Sequence, residues 1–269
     1  MTLLSLILVA AVPAQSPYQV SPLADGTATL AALAVSGLAG LAVKPVLGAE
    51  PSCRHRLASG LCDPKDLWSL DREVVGMSSK TWLVVSDIGA GLAFALPALG
   101  EAADVWLSGG DAPVAEWGTD VLVIAESVAM ATMTTEVLKW GVRRPRPTWY
   151  REGAFHGSVE HQLSFPSGHT TSTAAATTAY ALTFALRHPD SPWRYAVIAG
   201  AVGLTALTGY GRIGGGMHFP SDVIAGALIG AAWGLVIPEL HRRGVSVDAT
   251  VAPTAKGVTA YGASLAWAF

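Results

Sequence analysis

Three short polar clusters interrupt an apolar, Ala- and Gly-rich chain, and their residue types are those of an anion-handling site. The first holds Lys139, Arg143, Arg144 and Arg146, with Pro145 and Pro147 between and behind the arginines. The second is Pro166-Ser167-Gly168-His169. The third runs from Arg212 through Gly214, Gly215 and Gly216 to His218, Pro220, Ser221 and Asp222. Together they offer several cations, two histidines, one carboxylate and a helix start. That set can hold a phosphoryl group and move it.

Each cluster suggests a division of labour. Arg146 is suited to a planar fork onto phosphate oxygens and Lys139 to a point charge. Ser167 reads as the N-cap of a helix whose first N–H groups form an anion site, with Gly168 letting the backbone approach. His169 would stand over the anion and pass a proton to a leaving oxygen. His218 and Asp222 are four residues apart, a spacing that lets the carboxylate accept one imidazole N–H and leave the other nitrogen as a nucleophile. Arg212 adds a phosphate clamp on a Gly-rich loop (209–217) able to wrap an anion. Taken singly each has a plain structural reading: a basic membrane flank, an ordinary capped helix, a solvated histidine. His55, His156, His161, His188 and His241 keep that plain reading, although His156 and His161 are placed to line an entrance.

The combination is more specific than its parts. Lys-x6-Arg-Pro, Pro-Ser-Gly-His and Arg-x5-His-x3-Asp, in this order, resemble the type 2 phosphatidic acid phosphatase family, whose superfamily includes bacterial acid phosphatases and vanadium haloperoxidases. The resemblance covers about 139–240. It implies a helical bundle in which His218 attacks phosphorus to give a phosphohistidine and Asp222 orients it. His169 acts as acid and later base, while Lys139, Arg146, Ser167, Gly168 and Arg212 hold the phosphoryl oxygens. It implies no cofactor and no metal, and no carboxylate cluster suited to magnesium sits beside the motifs. One departure stands out: Gly211 occupies the place where the family usually has Ser before the Arg.

The elements that must position these groups are apolar segments. The chain has 269 residues, 14% of them charged, and a mean hydropathy of +0.42, which suits a membrane protein. A formal net charge of -3 argues against nucleic acid as partner. Apolar segments are expected at 27–43, 81–99, about 120–142, from Ser167 or just after to Leu186, about 194–208 and about 220–240. Residues 100–118 read as an acidic loop, and Glu126 and Glu136 should face a bundle interior or water. The fold class is thus all-α, a bundle of about six helices over 25–243, with a tail at 244–269 that reads as a short β-hairpin or extended segment turning at Pro253–Gly257.

Residues 3–14 resemble a secretory signal cleaved after Ala14, without the usual preceding positive charge. Cys53 and Cys62, in a polar loop, suggest a local disulfide worth ~2–3 kcal/mol, two unpaired thiols being the plainer alternative. Basic residues at 187–194 and 241–243 place those turns in the cytoplasm, and hence the motif ends in the periplasm or exterior. That count puts residue 27 inside, which conflicts with a cleaved signal. Either 1–14 stay attached, or 27–43 does not span, or the helices form a soluble periplasmic domain.

These readings lead to a membrane phosphatase acting on a lipid phosphate or diphosphate. The alternatives are a soluble periplasmic acid phosphatase, a haloperoxidase-like protein, and a non-catalytic phosphate-binding membrane protein. The sequence leaves the lipid and the oligomeric state open.

Overall fold

The computed structural model describes residues 15–43, 52–109, 111–151, 159–253 and 259–267. The signal-like residues 1–14, Lys44-Pro45, His156 and the hairpin turn at 254–257 lie outside them. Among the described residues six long helices form the bundle: α1 (Pro22–Val43), α3 (Lys80–Leu107), α4 (Pro113–Val142), α5 (Gly168–Arg187), α6 (Trp193–Gly214) and α7 (Pro220–His241). A one-turn helix, α2 (Ser69–Arg72), lies in the segment before α3, and an antiparallel hairpin, β1 (Val245–Pro253) with β2 (Thr259–Trp267), follows α7. The long helices alternate in direction, so α3, α5 and α7 start, and α4 and α6 end, at the same end of the bundle. The three motif clusters are the ends of those helices.

Four of these helical stretches, Lys80–Leu107, Pro113–Tyr150, Trp193–Gly214 and Pro220–His241, are long and apolar enough to cross a bilayer. Their packing is inverted relative to a water-soluble bundle. Val84, Ile88, Leu92 and Leu99 on α3, Val202 on α6 and Leu228 on α7 point outward, whereas the interior is built from Ala, Thr, Ser and Gly. Large side chains lose nothing by facing hydrocarbon, and small ones let helices approach. This is a membrane protein.

α5 is the central helix, packing on α3, α4, α6 and α7. Several of its buried threonines return their hydroxyls to the preceding turn, as in Thr171 to Ser167 O at 2.9 Å and Thr177 to Thr173 O at 2.8 Å, whereas the buried Thr173 hydroxyl makes no such bond. Against it α7 lays Gly226, Gly230 and Gly234, one per turn. A Cβ on Gly230 would stand 2.2 Å from Thr171 O, and one on Gly234 2.7 Å from Ala175 O. The two backbones touch because these positions lack side chains.

The structure corrects the expected acidic loop at 100–118. α3 continues to Leu107 and α4 begins at Pro113. The acids are drawn inward by Arg187, which is fully buried at the end of α5 with Asp104 at 3.1 Å, Glu101 and Glu116 each at 3.8 Å, and Asp120 bonded to its Nη2. Asp104 also takes His188 at 2.7 Å. Arg187 is therefore no solvated basic flank and has no bearing on orientation. A second tie at this far end joins His241 to Glu126 at 2.9 Å, with Asp25 close by. Glu136, by contrast, bonds Lys139 at 2.7 Å near the other end.

The Gly-rich loop is also corrected. α6 runs to Gly214, so Gly209, Gly211 and Gly214 are helical, and they serve packing. A Cβ on Gly211 would lie 2.8 Å from both Ser86 Cβ and Trp82 O on α3. The residue that departs from the family pattern sits where α3 and α6 leave no room for serine.

Candidate active site

α4 is ended by Arg143, whose left-handed φ of 48° closes the last turn with its N–H on Lys139 O. The chain beyond runs alongside 161–164: Ser164 N–H donates to Arg144 O and Arg146 N–H to His161 O, each at 2.8 Å. This rung brings the first cluster against the second. The third joins through Ser167 N–H, which donates to Asp222 O at 3.0 Å. Lys139 Nζ completes the approach, lying 3.3 Å from where a Cβ on Gly168 would stand.

His218 lies in the α6–α7 turn and is 2% exposed. Its Nδ1 is 2.7 Å from the Ser164 carbonyl oxygen, which makes Nδ1 the donor and leaves the Nε2 lone pair free for chemistry. Burial pushes its pKa down to about 4, with the Arg146 and Arg212 charges adding to the effect against the pull of Asp222. The imidazole is neutral at physiological pH.

Asp222 does not take the imidazole proton directly, as the four-residue spacing had suggested. Its Oδ2 is 3.8 Å from His218 Nδ1. That oxygen accepts from Ser164 Oγ at 2.5 Å and from Phe219 N–H at 2.9 Å, capping α7, and Oδ1 accepts from Arg144 at 2.6 Å. Asp222 thus acts on His218 through the segment that carries it: one carboxylate fixes both the turn before α7 and the loop whose carbonyl holds the ring.

Asp71 was missed by sequence reasoning, which named Arg144 in the first cluster without giving it a role. Arg144 donates to Asp71 at 2.8 Å and to Ser221 Oγ at 2.7 Å, and its guanidinium lies 4.2 Å over the Phe219 ring. Asp71, on α2, takes Ser221 N–H and Oγ–H. Nothing local marks a carboxylate 150 residues before Ser221 as its partner. Around them Leu67, Val74 and Phe219 pack as a small apolar plate.

Ser167 precedes α5, yet its Oγ pairs with Thr170 Oγ1 at 3.0 Å and no side chain caps the helix start. Arg146 and Arg212 are 7% and 6% exposed, and Arg146 Nη1 points to Met217 Sδ at 3.9 Å. Arg212 Nη1 lies 3.4 Å from Ser86 Oγ and 3.2 Å from Asp87 Oδ1. His169 Nε2 is also 3.2 Å from that Asp87 oxygen. Asp87 is the second residue that sequence reasoning missed. Its signal was present, since it is a lone carboxylate within the apolar run 81–99.

The clusters therefore converge: His218, His169, Lys139, Arg146 and Arg212 share one end of the bundle with the start of α5. Among known families, residues 120–245 match the PAP2 superfamily. This segment, a little under half of the chain, is similar to that family. The chain is 34% identical over 125 residues to a lipid A 1-phosphatase of Rhizobium johnstonii, covering 44% of this chain and 46% of the relative. It is 33% identical over 125 residues to a decaprenylphosphoryl-5-phosphoribose phosphatase of Mycobacterium tuberculosis, covering 46% of this chain and 61% of the relative. The chain thus spans about half the length of the first of these curated relatives. Among solved structures, a PAP2 type phosphatidylglycerolphosphate phosphatase from Bacillus subtilis aligns with a TM-score of 0.48 and 20% identity, over 80% of this chain and 94% of that one. LpxE of Aquifex aeolicus aligns with a TM-score of 0.45 and 24% identity, over 65% and 97%.

Outside this site, Cys53 and Cys62 form a disulfide with Cα atoms 5.3 Å apart, and Cys62 N–H donates to Trp149 O. This loop is at the same end as the histidines. The His and carboxylate group Asp25, Glu126 and His241 is at the other. Along α7, His241 lies roughly 33 Å from His218. His55 pairs with Asp66 at 2.7 Å, which holds that carboxyl below its ordinary range.

Proposed function

We propose that the protein is a phosphatase that hydrolyses a phosphomonoester or diphosphate of a lipid through a phosphohistidine on His218. One observation carries this reading. A buried, neutral histidine with a free Nε2 stands beside Arg146 and Arg212, and a second histidine faces the same two cations and Lys139.

The steps follow from the positions. The Nε2 lone pair of His218 attacks phosphorus while the bond from phosphorus to the leaving oxygen breaks. His169, held as the imidazolium by the phosphate dianion beside it, delivers its Nε2 proton to that oxygen and is left neutral, releasing the alcohol. Water, deprotonated by His169, then attacks the phosphohistidine, the P–N bond breaks, and inorganic phosphate leaves with both histidines restored. The three cations and the N–H groups at the start of α5 hold the equatorial oxygens, which carry the developing charge.

A lipid substrate is supported by the membrane helices and by the relatives, whose names describe phosphatases of lipid A and of a decaprenyl lipid. An apolar groove of about 590 Å³ between α5, α6 and α7, running from Thr170 to Ala185 and Leu235, suits a hydrocarbon chain. The site is proposed to face the periplasm or exterior, because the disulfide shares its end and disulfides persist in oxidising compartments.

The test is trapping of radiolabelled phosphoenzyme on a lipid phosphate in micelles by a rapid alkaline detergent quench. Label that is acid-labile, base-stable and absent in His218→Ala is expected. Turnover with no such intermediate under rapid quench would refute the covalent route.

A further inference from the structure

Asp87 is a carboxylate in a place built for a different anion. Its Oδ1 is 3.2 Å from Arg212 Nη1 and 3.2 Å from His169 Nε2. Those two donors are the ones the proposed reaction assigns to a phosphoryl oxygen and to the leaving oxygen. One carboxylate oxygen therefore takes both, and a phosphate placed there would meet the carboxylate as a like charge. The two cannot share the seat.

Asp87 is also free to leave it. Its side chain is 60% exposed. Glu136 makes a useful contrast. It too neutralises a cation of the site, Lys139, at 2.7 Å, but it is 16% exposed and sits one turn away on the same helix. Glu136 is fixed beside its lysine, whereas Asp87 reaches from α3 to groups on α5 and α6 and can swing out about its own side-chain torsions.

We propose that Asp87 is an affinity-determining residue: its carboxylate fills the phosphoryl seat between Arg212 and His169 in the resting site and is displaced when a phosphate enters. The inference rests on the phosphatase reading and deepens it. It gives the site a threshold. A phosphate dianion that displaces Asp87 gains Arg212 and His169 and also reaches Lys139, Arg146 and the start of α5. A carboxylate or other weak monoanion gains little beyond what Asp87 already provides, so it stays out.

The consequence for binding has a definite sign. The apparent dissociation constant equals the intrinsic one divided by the fraction of time the seat is open. If Asp87 fills it most of the time, removing the carboxylate tightens anion binding on the order of tenfold. A residue that merely positions Arg212 and His169 has the opposite effect, because its loss lets both donors drift and weakens binding.

The experiment measures inhibition constants of orthovanadate and inorganic phosphate against nitrophenyl phosphate hydrolysis by the full chain in detergent. Wild type, Asp87→Asn, Asp87→Ala and Asp87→Glu are compared, with thermal unfolding as the check on folding. Both inhibitors are expected to bind more tightly to Asp87→Asn and Asp87→Ala, and Asp87→Glu is expected to return toward wild type. Asp87→Asn keeps the shape of the side chain, so it decides the matter if Asp87→Ala unfolds. Inhibition constants that are unchanged or raised in folded Asp87→Asn overturn the proposal while leaving the phosphatase reading intact. A wild-type protein that hydrolyses no phosphate ester and is indifferent to both anions sinks that reading and this one with it.

Discussion

His218 Nδ1–H donates to the Ser164 carbonyl at 2.7 Å, while Asp222 stands at 3.8 Å and accepts from the Ser164 hydroxyl at 2.5 Å. The nucleophile is oriented by a backbone group that the carboxylate fixes from behind. Two different losses follow. Asp222→Asn breaks a buried ion pair with Arg144 and weakens the α7 cap, so it should cost about 3–5 kcal/mol of stability along with activity. Ser164→Ala keeps the carbonyl and should lower kcat by about tenfold with little change in melting temperature, the equivalent of roughly 1.4 kcal/mol of barrier. Equal thermal destabilisation by the two would contradict the indirect arrangement.

The two histidines separate by leaving group. His218→Ala should abolish turnover of every substrate. His169→Ala should lose most of the ~10²–10⁴ typical of general acid catalysis on an alkyl phosphate, and much less on nitrophenyl phosphate, whose leaving oxygen needs little help. The comparison is kcat/KM for both substrates in each variant. Equal losses on the two substrates would remove His169 from the acid role.

The neutrality of His218 can be titrated directly. Its pKa is held near 4 by burial first and then by Arg146 and Arg212. Since the charged form is disfavoured in the folded site, His218 costs no stability above its unfolded value of about 6.5. It opposes folding increasingly as pH falls from there toward 4. In isotope-labelled histidine NMR, with His218→Asn for assignment, the ring should stay neutral down to about pH 5. Arg146→Ala should raise the midpoint part of the way back. A wild-type midpoint at 6 or above would show that the ring is not held neutral.

Gly230 and Gly91 test the inverted packing. A Cβ at Gly230 meets Thr171 O at 2.2 Å, whereas one at Gly91 on α3 meets nothing within 4 Å. Gly230→Ala should therefore cost about 1–3 kcal/mol or more by overpacking, and Gly91→Ala should be neutral or gain up to about 1 kcal/mol of helix propensity. Gly211→Ser should behave like Gly230→Ala and lower the melting temperature, despite restoring the residue usual in the family. Its tolerance without loss would mean that α3 and α6 are further apart than described.

Arg187 is the counter-charge of Glu101, Asp104, Glu116 and Asp120. Arg187→Met leaves four carboxylates together at the end of the bundle and should destabilise by about 3–5 kcal/mol. Phosphate binding in protein that remains folded should be unaltered, because the cluster lies a helix length from His218. The readouts are detergent melting and the vanadate inhibition constant.

By itself the sequence determined the helical class, the order of the three clusters and the end of the bundle they share. It could do so because alternating apolar segments of bilayer length return polar residues to one side, and because positions three or four apart on a helix are fixed neighbours. The same spacing sets Glu136 beside Lys139, a pair that the structure showed. It failed wherever a partner came from another element. Spacing offered Asp222 to His218, but the packing of the 161–164 segment supplied a carbonyl instead. Asp87 was visible as a charge in an apolar run, and only the crossing of α3 over α5 and α6 set it between His169 and Arg212. Arg187 looked like a basic flank until α3 and α4 brought four acids around it. The glycines before His218 looked like an anion cradle until α3 pressed against them. In each case the deciding quantity is the distance between helices far apart in the chain. Side-chain volumes along whole interfaces set that distance, and no local pattern encodes it.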